Sequence, residues 1–341
     1  MRDFIKVSNN INLTIIISKL LFKDASIIHE NYIFFNMGKK IIITGATGLI
    51  GRRLCDSLAK SGNEITIFTT NPGKAAETIK YAKEFVDWNF LKINEWEKII
   101  DGTDAVIHLA GASIAGKRWD EDYKKRIYDS RIISTKNLVT AIGKAQSKPS
   151  IFITASATGY YGNAKNNMLT EDSNSGNDFL ADVCTAWELA AAEVEQFNVR
   201  RVCIRTGVVL SLEGGALKQM LTPFKFFVGG PLGNGKQWFP WIHIDDLVNI
   251  YLYALDNPAI QDSINAASPN RVTMNEFVRT LGRILHRPSF FNVPLFLLRM
   301  TIGEAAYAVT ASQRVFPKKL LESGFKFRFE TLEDALENLL M

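Results

Sequence analysis

Three evenly spaced glycines, Gly45, Gly48 and Gly51, have the residue type and spacing that most directly indicate chemistry. They follow a β-branched run over residues 41–44 and lead into an apolar-periodic segment typical of a helix. A strand, a glycine turn and a helix N-terminus in that order present backbone N–H groups and a positive helix end to an anion. Gly48 lets the backbone approach a phosphate without a Cβ. The predicted cofactor-binding residues in this segment are Gly45, Thr47, Gly48, Leu49 and Ile50.

The residues after the second predicted strand bear on which dinucleotide binds. An acid at this point would hold the ribose hydroxyls of NAD, whereas a basic residue suits the extra phosphate of NADP. This sequence has no acid there, and Thr69, Thr70 and Asn71 offer hydrogen-bonding groups instead. The pattern favours NADP and leaves NAD as the alternative. Asp87, after the third predicted strand, is the candidate for the adenine amino group.

Alternating strand and helix patterns must position these groups. Strands are predicted over residues 41–44, 64–69, 104–109, 150–154 and 201–204, with a weaker one over 85–88. Helices are predicted between them over residues 72–80, 94–100, 119–143 and 179–197. This alternation predicts an α/β fold of the Rossmann type, with a doubly wound parallel sheet and right-handed crossovers.

The pattern loosens after Thr206, where glycine-containing loops become frequent. A capping box at residues 273–276 predicts a helix start, and the last fifty residues have the pattern of helices interrupted by proline and glycine. We predict a Rossmann domain with substrate-cleft insertions over residues 37–285. A smaller, mainly helical C-terminal region over 286–341 would roof the crevice at the carboxyl ends of the strands.

Residues 1–36 differ from the rest of the chain. The apolar stretch over residues 11–22 is interrupted by Asn12 and Lys19 and is too short to span a bilayer. Met37 stands directly before the first predicted strand. We predict an N-terminal extension outside the fold, either an upstream addition from a mis-assigned start or a cleaved targeting peptide. No membrane partner is predicted.

The charge, cysteine and histidine content of the chain bears on nucleic-acid binding, on the redox compartment and on metal binding. The net charge of +5 comes from dispersed basic residues, so no nucleic-acid partner is predicted. The three cysteines lack C-x-x-C spacing, which favours a reducing compartment, here the cytoplasm. The four histidines show no ligand spacing, and no metal site is predicted.

Several motifs together resemble one known family. Those over residues 44–51, 108–112, 155–162 and 241–246 are similar to the extended short-chain dehydrogenase/reductase superfamily. Those over 116–119, 129–131, 179–188 and 317–325 resemble its NAD-dependent epimerase/dehydratase-like subgroup, which has a C-terminal domain of unknown function, DUF1731. The resemblance, from about residue 39 onwards, implies cofactor contacts at Leu109, Ala110 and Gly111. It also implies a homodimer through the helices over 119–143 and 179–197.

The catalytic pair of that superfamily is replaced in this chain. Its members use a tyrosine whose pKa, ordinarily about 10, is lowered by a lysine one helical turn later. Here Cys184 stands at the tyrosine position and Glu188 at the lysine position. A carboxylate raises the pKa of a neighbouring thiol, so the electrostatics are inverted. The literal Tyr-x-x-x-Lys at Tyr161 and Lys165 contains Gly162 and is not predicted to be helical.

Hydroxyl groups near the end of the fifth predicted strand are the remaining candidates for proton transfer. Ser156 and Thr158 lie near the usual hydroxyl position, and Tyr160 or Tyr161 could supply a phenol. The doubled tyrosine leaves the register open by one residue, and either ring could instead pack on the cofactor. The candidate catalytic residues are Ser156, Tyr160 and Tyr161.

Other chemically notable residues have plainer interpretations. His108 is interpreted as a core histidine within a strand. Trp238 and Trp241 either line an apolar pocket or fill the core of the roof. Three basic residues either bind an anion or are solvated: Lys117, Arg118 and Arg131.

Two functions remain from the sequence. The first is an NADP-binding, epimerase-family oxidoreductase of atypical mechanism, acting on a small carbonyl or sugar-type substrate. The second is a catalytically inactive dinucleotide-binding sensor or regulatory protein. The missing tyrosine/lysine pair favours the second, and the retained crevice motifs favour the first.

Overall fold

The computed structural model describes residues 38–341. The predicted extension over residues 1–36 therefore lies outside the described residues. Within residues 38–341, no helix combines the length and the apolar character needed to cross a bilayer.

The described residues form strands and helices in alternation. The strands are β1 Lys40–Thr44, β2 Glu64–Thr69, β3 Glu84–Asp87, β4 Ala105–His108, β5 Ile151–Ala157, β6 Met168–Leu169, β7 Arg200–Thr206, β8 Val208–Leu210, β9 Trp238–Phe239, β10 Trp241–His243, β11 Asp262–Ala266, β12 Val272–Thr273 and β13 Arg314–Val315. The α-helices are α1 Leu49–Lys60, α2 Pro72–Thr78, α3 Glu121–Lys144, α4 Phe179–Ala192, α5 Gly215–Lys225, α6 Ile244–Asp256, α7 Met274–Leu285, α8 Leu295–Ile302, α9 Ala305–Thr310, α10 Lys318–Glu322 and α11 Leu332–Leu340. Short 3₁₀ helices span Glu95–Ile100, Thr158–Tyr161 and Glu193–Phe197.

A seven-stranded sheet with the order β11-β7-β5-β4-β1-β2-β3 forms the centre of the molecule. All of its neighbouring strands pair in parallel. The chain runs outward from β1 to β3 and then returns to β4 on the other side of β1. This reversal places a topological switch point between β1 and β4, where ligands of open α/β sheets bind. The predicted Rossmann-type, doubly wound fold is confirmed.

The sheet is buried on both faces because successive side chains of a strand point to opposite sides. In β1, Ile41 and Ile43 pack into the apolar core that includes residues of α1 and α6. Ile42 points to the other face and packs with Phe68 and Phe152. This explains why β1 is continuously apolar rather than alternating.

The C-terminal region shares a core with the preceding domain. Helix α7 begins with the predicted capping box, in which Thr273 and Glu276 exchange side-chain to backbone hydrogen bonds. Phe277 and Leu281 of α7 lie in one apolar cluster with Leu332 and Leu336 of α11. The last helix therefore stabilises the position of α7, which ends at Leu285.

Strand β11 has no counterpart among the predicted strands. Its sequence, Asp262-Ser-Ile-Asn-Ala266, contains one β-branched residue and reads as a polar loop. Ser263 and Asn265 are nevertheless buried, because their side chains hydrogen-bond to a polar network described below.

Candidate functional site

The glycine turn between β1 and α1 is fixed by close backbone contacts. Gly45 has a φ of +70°, and a Cβ there would lie 2.7 Å from the amide nitrogen of Ala110. A Cβ on Gly51 would lie 2.5 Å from the carbonyl oxygen of Gly45. At Gly48 a Cβ would meet only that same oxygen, at 3.2 Å. Gly45 and Gly51 are therefore required by packing, whereas Gly48 keeps the space above the turn open.

The N-terminus of α1 has no anionic group of its own. Gly48 is the N-cap residue and provides no side-chain acceptor, and the first turn contains no acid. The amides of Leu49 and Ile50 have no intrahelical acceptor, as in the first turn of any α-helix. The donor set and the open space above Gly48 fit a pyrophosphate.

A cleft of about 540 Å³ opens beside this turn at the carboxyl ends of β1, β2 and β4. The predicted cofactor residues Gly45, Thr47, Thr69, Thr70, Ala110 and Gly111 all line it. Gly48, Leu49 and Ile50 form the start of α1 beside it and offer backbone groups only.

The other predicted cofactor residues lie around the cleft without lining it. Asn71 is the N-cap of α2, and its side-chain oxygen accepts a hydrogen bond from the amide of Lys74 at 3.1 Å. Asp87 is exposed at the end of β3, next to the cleft residue Trp88. Leu109 donates its amide to the carbonyl of Thr44 at 3.2 Å and supports the turn from behind.

Several cleft residues were missed by sequence reasoning. Trp88 and Phe90 follow β3 and form an aromatic wall. Lys125 and Arg126 reach the cleft from α3. Lys125 forms an ion pair with Asp129, whereas Arg126 has no ion-pair partner within residues 38–341. The signal was the helical spacing of polar residues at 122, 125, 126, 129 and 130, which places them on one face of α3.

Thr44 and His108 connect the two strands that flank the switch point. Thr44 Oγ1 lies 2.7 Å from His108 Nδ1, and the amide of Ala110 donates to Thr44 Oγ1 at 3.2 Å. His108 is fully buried, and burial lowers its pKa to about 3, so the ring is neutral. The histidine is a core residue, as its sequence context indicates.

A buried polar network connects β5, β7 and β11 with α4. Ser156 Oγ donates to Glu188 Oε1 at 2.6 Å. Arg205 binds both carboxylate oxygens of Glu188, at 2.9 and 2.8 Å. Ser263 Oγ donates to Glu188 Oε2 at 2.7 Å. The Ser156 hydroxyl proton is therefore engaged in a hydrogen bond to the Glu188 carboxylate.

The two adjacent tyrosines have different environments. Tyr161 is buried, accepts a hydrogen bond from Arg205 Nη1 at 2.9 Å and donates to Asn265 Oδ1 at 2.7 Å. Burial raises its pKa to about 12. The guanidinium carbon of Arg205 lies 3.5 Å from the centroid of the Tyr160 ring. The Tyr160 hydroxyl has no hydrogen-bond partner within residues 38–341. Lys165 has a φ of +54°, so Tyr161 and Lys165 do not form a helical pair.

Cys184, which the sequence motif predicts to replace the superfamily tyrosine, lies on α4. It is fully buried, and burial together with the carboxylate of Glu188 raises its pKa to about 12. The thiol stays protonated and is not a nucleophile.

Two of the basic residues singled out by the sequence, Lys117 and Arg131, do not line the cofactor cleft. Lys117 forms an exposed ion pair with Asp120 at 3.1 Å. Arg131 donates to the carbonyl of Ile127 and stacks on Trp187, with its guanidinium carbon 5.2 Å from the ring centroid.

Comparison with known proteins decides the family. The model described as NAD dependent epimerase/dehydratase family matches residues 41–267. This chain belongs to that family. A second model, a domain of unknown function (DUF1731), matches residues 293–339 of this epimerase-family chain.

Relatives of this epimerase-family chain extend over most of its length. Epimerase family protein SDR39U1 homolog, chloroplastic, from Arabidopsis thaliana is 42% identical over 88% of this chain and 86% of its own. Epimerase family protein YfhF from Bacillus subtilis is 38% identical over 88% of this chain and 97% of its own. The crystal structure of human epimerase family protein SDR39U1 (isoform 2) with NADPH aligns with a TM-score of 0.77. It is 31% identical and covers 88% of this chain and 98% of its own.

Proposed function

We propose that this epimerase-family protein binds NADP and is an oxidoreductase of atypical mechanism that acts on a small carbonyl or sugar-type substrate. The observation that carries the proposal is the complete cleft at the switch point, with a glycine turn, no acid after β2 and Arg126 available for a phosphate. The NADPH bound in the human relative supports the same cofactor. Bound NADPH would supply a hydride.

The residues of this chain then divide the remaining work. The amides at the start of α1 bind the pyrophosphate, and the aromatic wall of Trp88 and Phe90 excludes water from one side of the cleft. The Ser156 and Tyr161 hydroxyls are held in the buried network, so neither transfers a proton to substrate. Tyr160 has the free phenol among the three candidates, and the Arg205 guanidinium fixes its ring. It is the proton donor in this proposal.

A second function is favoured by a specific observation. Glu188 stands where the superfamily has its catalytic lysine, and it is buried in an ion pair with Arg205. The thiol of Cys184 is protonated and is not a nucleophile. A protein that has kept its cofactor cleft and lost proton transfer would be a dinucleotide-binding sensor or regulator. Tyr160 distinguishes the two functions, because only an enzyme requires its hydroxyl.

Calorimetric titration with NADPH and NADH tests the cofactor, with Gly48→Trp as the control that fills the space above the turn. NADPH binding that the control abolishes supports the proposal, and binding of neither nucleotide contradicts it. Oxidation of bound NADPH is then followed at 340 nm with a panel of aldehydes and ketones. Turnover that Tyr160→Phe abolishes supports the enzyme, and binding without turnover supports the sensor.

Three further predictions belong to this proposal. The domain boundary is placed after residue 285, between the two matched family models. The protein is placed in the cytoplasm, which the free, buried state of Cys55, Cys184 and Cys203 supports. A homodimer through α3 and α4 is tested below.

A further inference from the structure

A second cavity, separate from the cofactor cleft, lies between the Rossmann domain and the C-terminal helices. Its volume is about 340 Å³, within the range of about 300–1,000 Å³ typical of small-molecule sites. Its wall is formed by α5, the segment that contains β9, and helices α8 and α9. It shares no lining residue with the cofactor cleft.

The cavity lies beside the carboxyl end of β7. Val208, which lines it, follows the carboxyl end of β7 after a single residue, Gly207. Trp238 lines the same cavity, whereas Trp241 is fully buried in the core. Crevices at the carboxyl ends of parallel strands are the ligand sites of α/β sheets. The cavity is therefore a candidate ligand pocket that is separate from the cofactor cleft.

The chemistry of its wall excludes an anionic ligand. No Lys, Arg, His, Asp or Glu lines the cavity within the described part of the chain, and the polar side chains in its wall are Gln219, Gln237 and Gln313 besides the indole of Trp238. A nucleoside diphosphate sugar has two negative charges, which need cationic or convergent amide partners when they leave water. An uncharged ligand requires none.

One glutamine supplies an acceptor for such a ligand. Gln237 is 7% exposed, and its Nε2 donates to the carbonyl of Leu232 at 2.7 Å. Its Oε1 is buried and has no hydrogen-bond partner within residues 38–341. Less than 1 Å² of this oxygen is accessible, so the side chain must turn slightly toward the cavity to accept from a ligand. Buried acceptors are nearly always paired, and a ligand donor would supply the missing partner.

The mouth of the cavity is also apolar. Val228 and Val309 both line the cavity and are 49% and 42% exposed, so they lie where it meets solvent. We infer that this cavity binds a small, uncharged, largely apolar molecule that donates one hydrogen bond to Gln237 Oε1. The inference goes beyond the proposed function and does not depend on it.

The test uses N-phenyl-1-naphthylamine, a neutral fluorescent probe with one N–H, and 1-benzylnaphthalene, in which a CH₂ replaces that N–H. We expect saturable binding of the amine to the full chain, about tenfold tighter than binding of the hydrocarbon. Gln237→Met should remove this preference, whereas the matched control Gln219→Met, at an exposed lining glutamine, should retain it. Ala308→Trp, which fills the cavity, should abolish binding of both probes.

Opposite results overturn the inference. These are displacement of the probe by excess UDP-glucose, equal affinity for the two probes in the unmodified chain, or unchanged binding in Ala308→Trp. NADPH titration of every variant keeps this test apart from the proposed function. A variant that binds NADPH normally is folded. If the unmodified chain does not bind NADPH, the proposed function is contradicted, but the probe result still tests the cavity.

Discussion

The ion pair between Glu188 and Arg205 is the most buried charge interaction among the residues described above, with side chains 9% and 6% exposed. Glu188→Gln removes the negative charge and leaves the guanidinium uncompensated. We expect a loss of about 3 kcal/mol in the free energy of unfolding, since breaking one partner of a buried pair costs about 3–5 kcal/mol. Urea denaturation measures this. Glu193→Gln, an exposed acid just after α4, is the control, and equal stability of the two variants would contradict the prediction.

Thr70 lines the cleft directly after β2, where the sequence has no acid. Thr70→Arg places a planar cation next to the site predicted for the extra phosphate of NADP. We expect NADPH to bind about tenfold more tightly and NADH to bind as before, because only NADPH has that phosphate. Calorimetry at two salt concentrations measures it. An equal gain for both nucleotides would show that the arginine contacts the pyrophosphate instead.

The lowered pKa of the buried His108 side chain predicts that the free energy of unfolding depends on pH. Its pKa falls from 6.5 to about 3 on folding, so the unfolded chain binds the proton first. Stability is unaffected above pH 6.5 and declines as the pH falls toward 3, by up to about 1.4 kcal/mol per pH unit. His108→Asn should have a shallower decline between pH 6.5 and 5 in urea unfolding. Parallel curves for the two proteins would rule out the assignment.

At the scale of elements, two glycines of the turn before α1 have different roles: we expect Gly51 to be needed for folding and Gly48 for binding. A Cβ on Gly51 meets the Gly45 oxygen at 2.5 Å, whereas a Cβ on Gly48 meets it at 3.2 Å. Gly51→Ala should therefore lower the stability by about 1–3 kcal/mol, the usual cost of overpacking. Gly48→Ala should lower the melting temperature less than Gly51→Ala does and should weaken NADPH binding. Thermal denaturation and calorimetry of both variants measure this, and a reversed order of effects would contradict it.

The elements that the sequence predicts are those with local signals. The turn at Gly45 and the strand β1 are encoded within twelve residues, and the capping box at Thr273 within four. The network around Glu188 is not local, because Arg205 lies 17 residues away and Ser263 lies 75 residues away. Its partners meet only after β5, β7 and β11 have paired, which is why sequence reasoning assigned Ser156 to catalysis.

At the scale of the whole molecule, the exposed sides of α3 and α4 test the predicted homodimer. Leu189 on α4 is 65% exposed and Tyr128 on α3 is 39% exposed. If these helices form the interface, Leu189→Glu should convert the dimer to a monomer, because an unpaired carboxylate would be buried. Light scattering after size-exclusion chromatography measures the mass. Tyr81→Glu, at an exposed residue outside both helices, is the control, and a monomeric unmodified protein would refute the dimer.

The two sides of the apolar cavity differ in how firmly they are attached. Helix α8 contains no buried residue, and α9 contains one, Ala306. The opposite wall includes Phe224 and Phe239, which belong to the buried core. Regions with few buried contacts open at a lower free energy than the global unfolding free energy. We therefore expect α8 and α9 to open at a lower free energy than the central sheet, and a ligand in the cavity to enter and leave through this local opening.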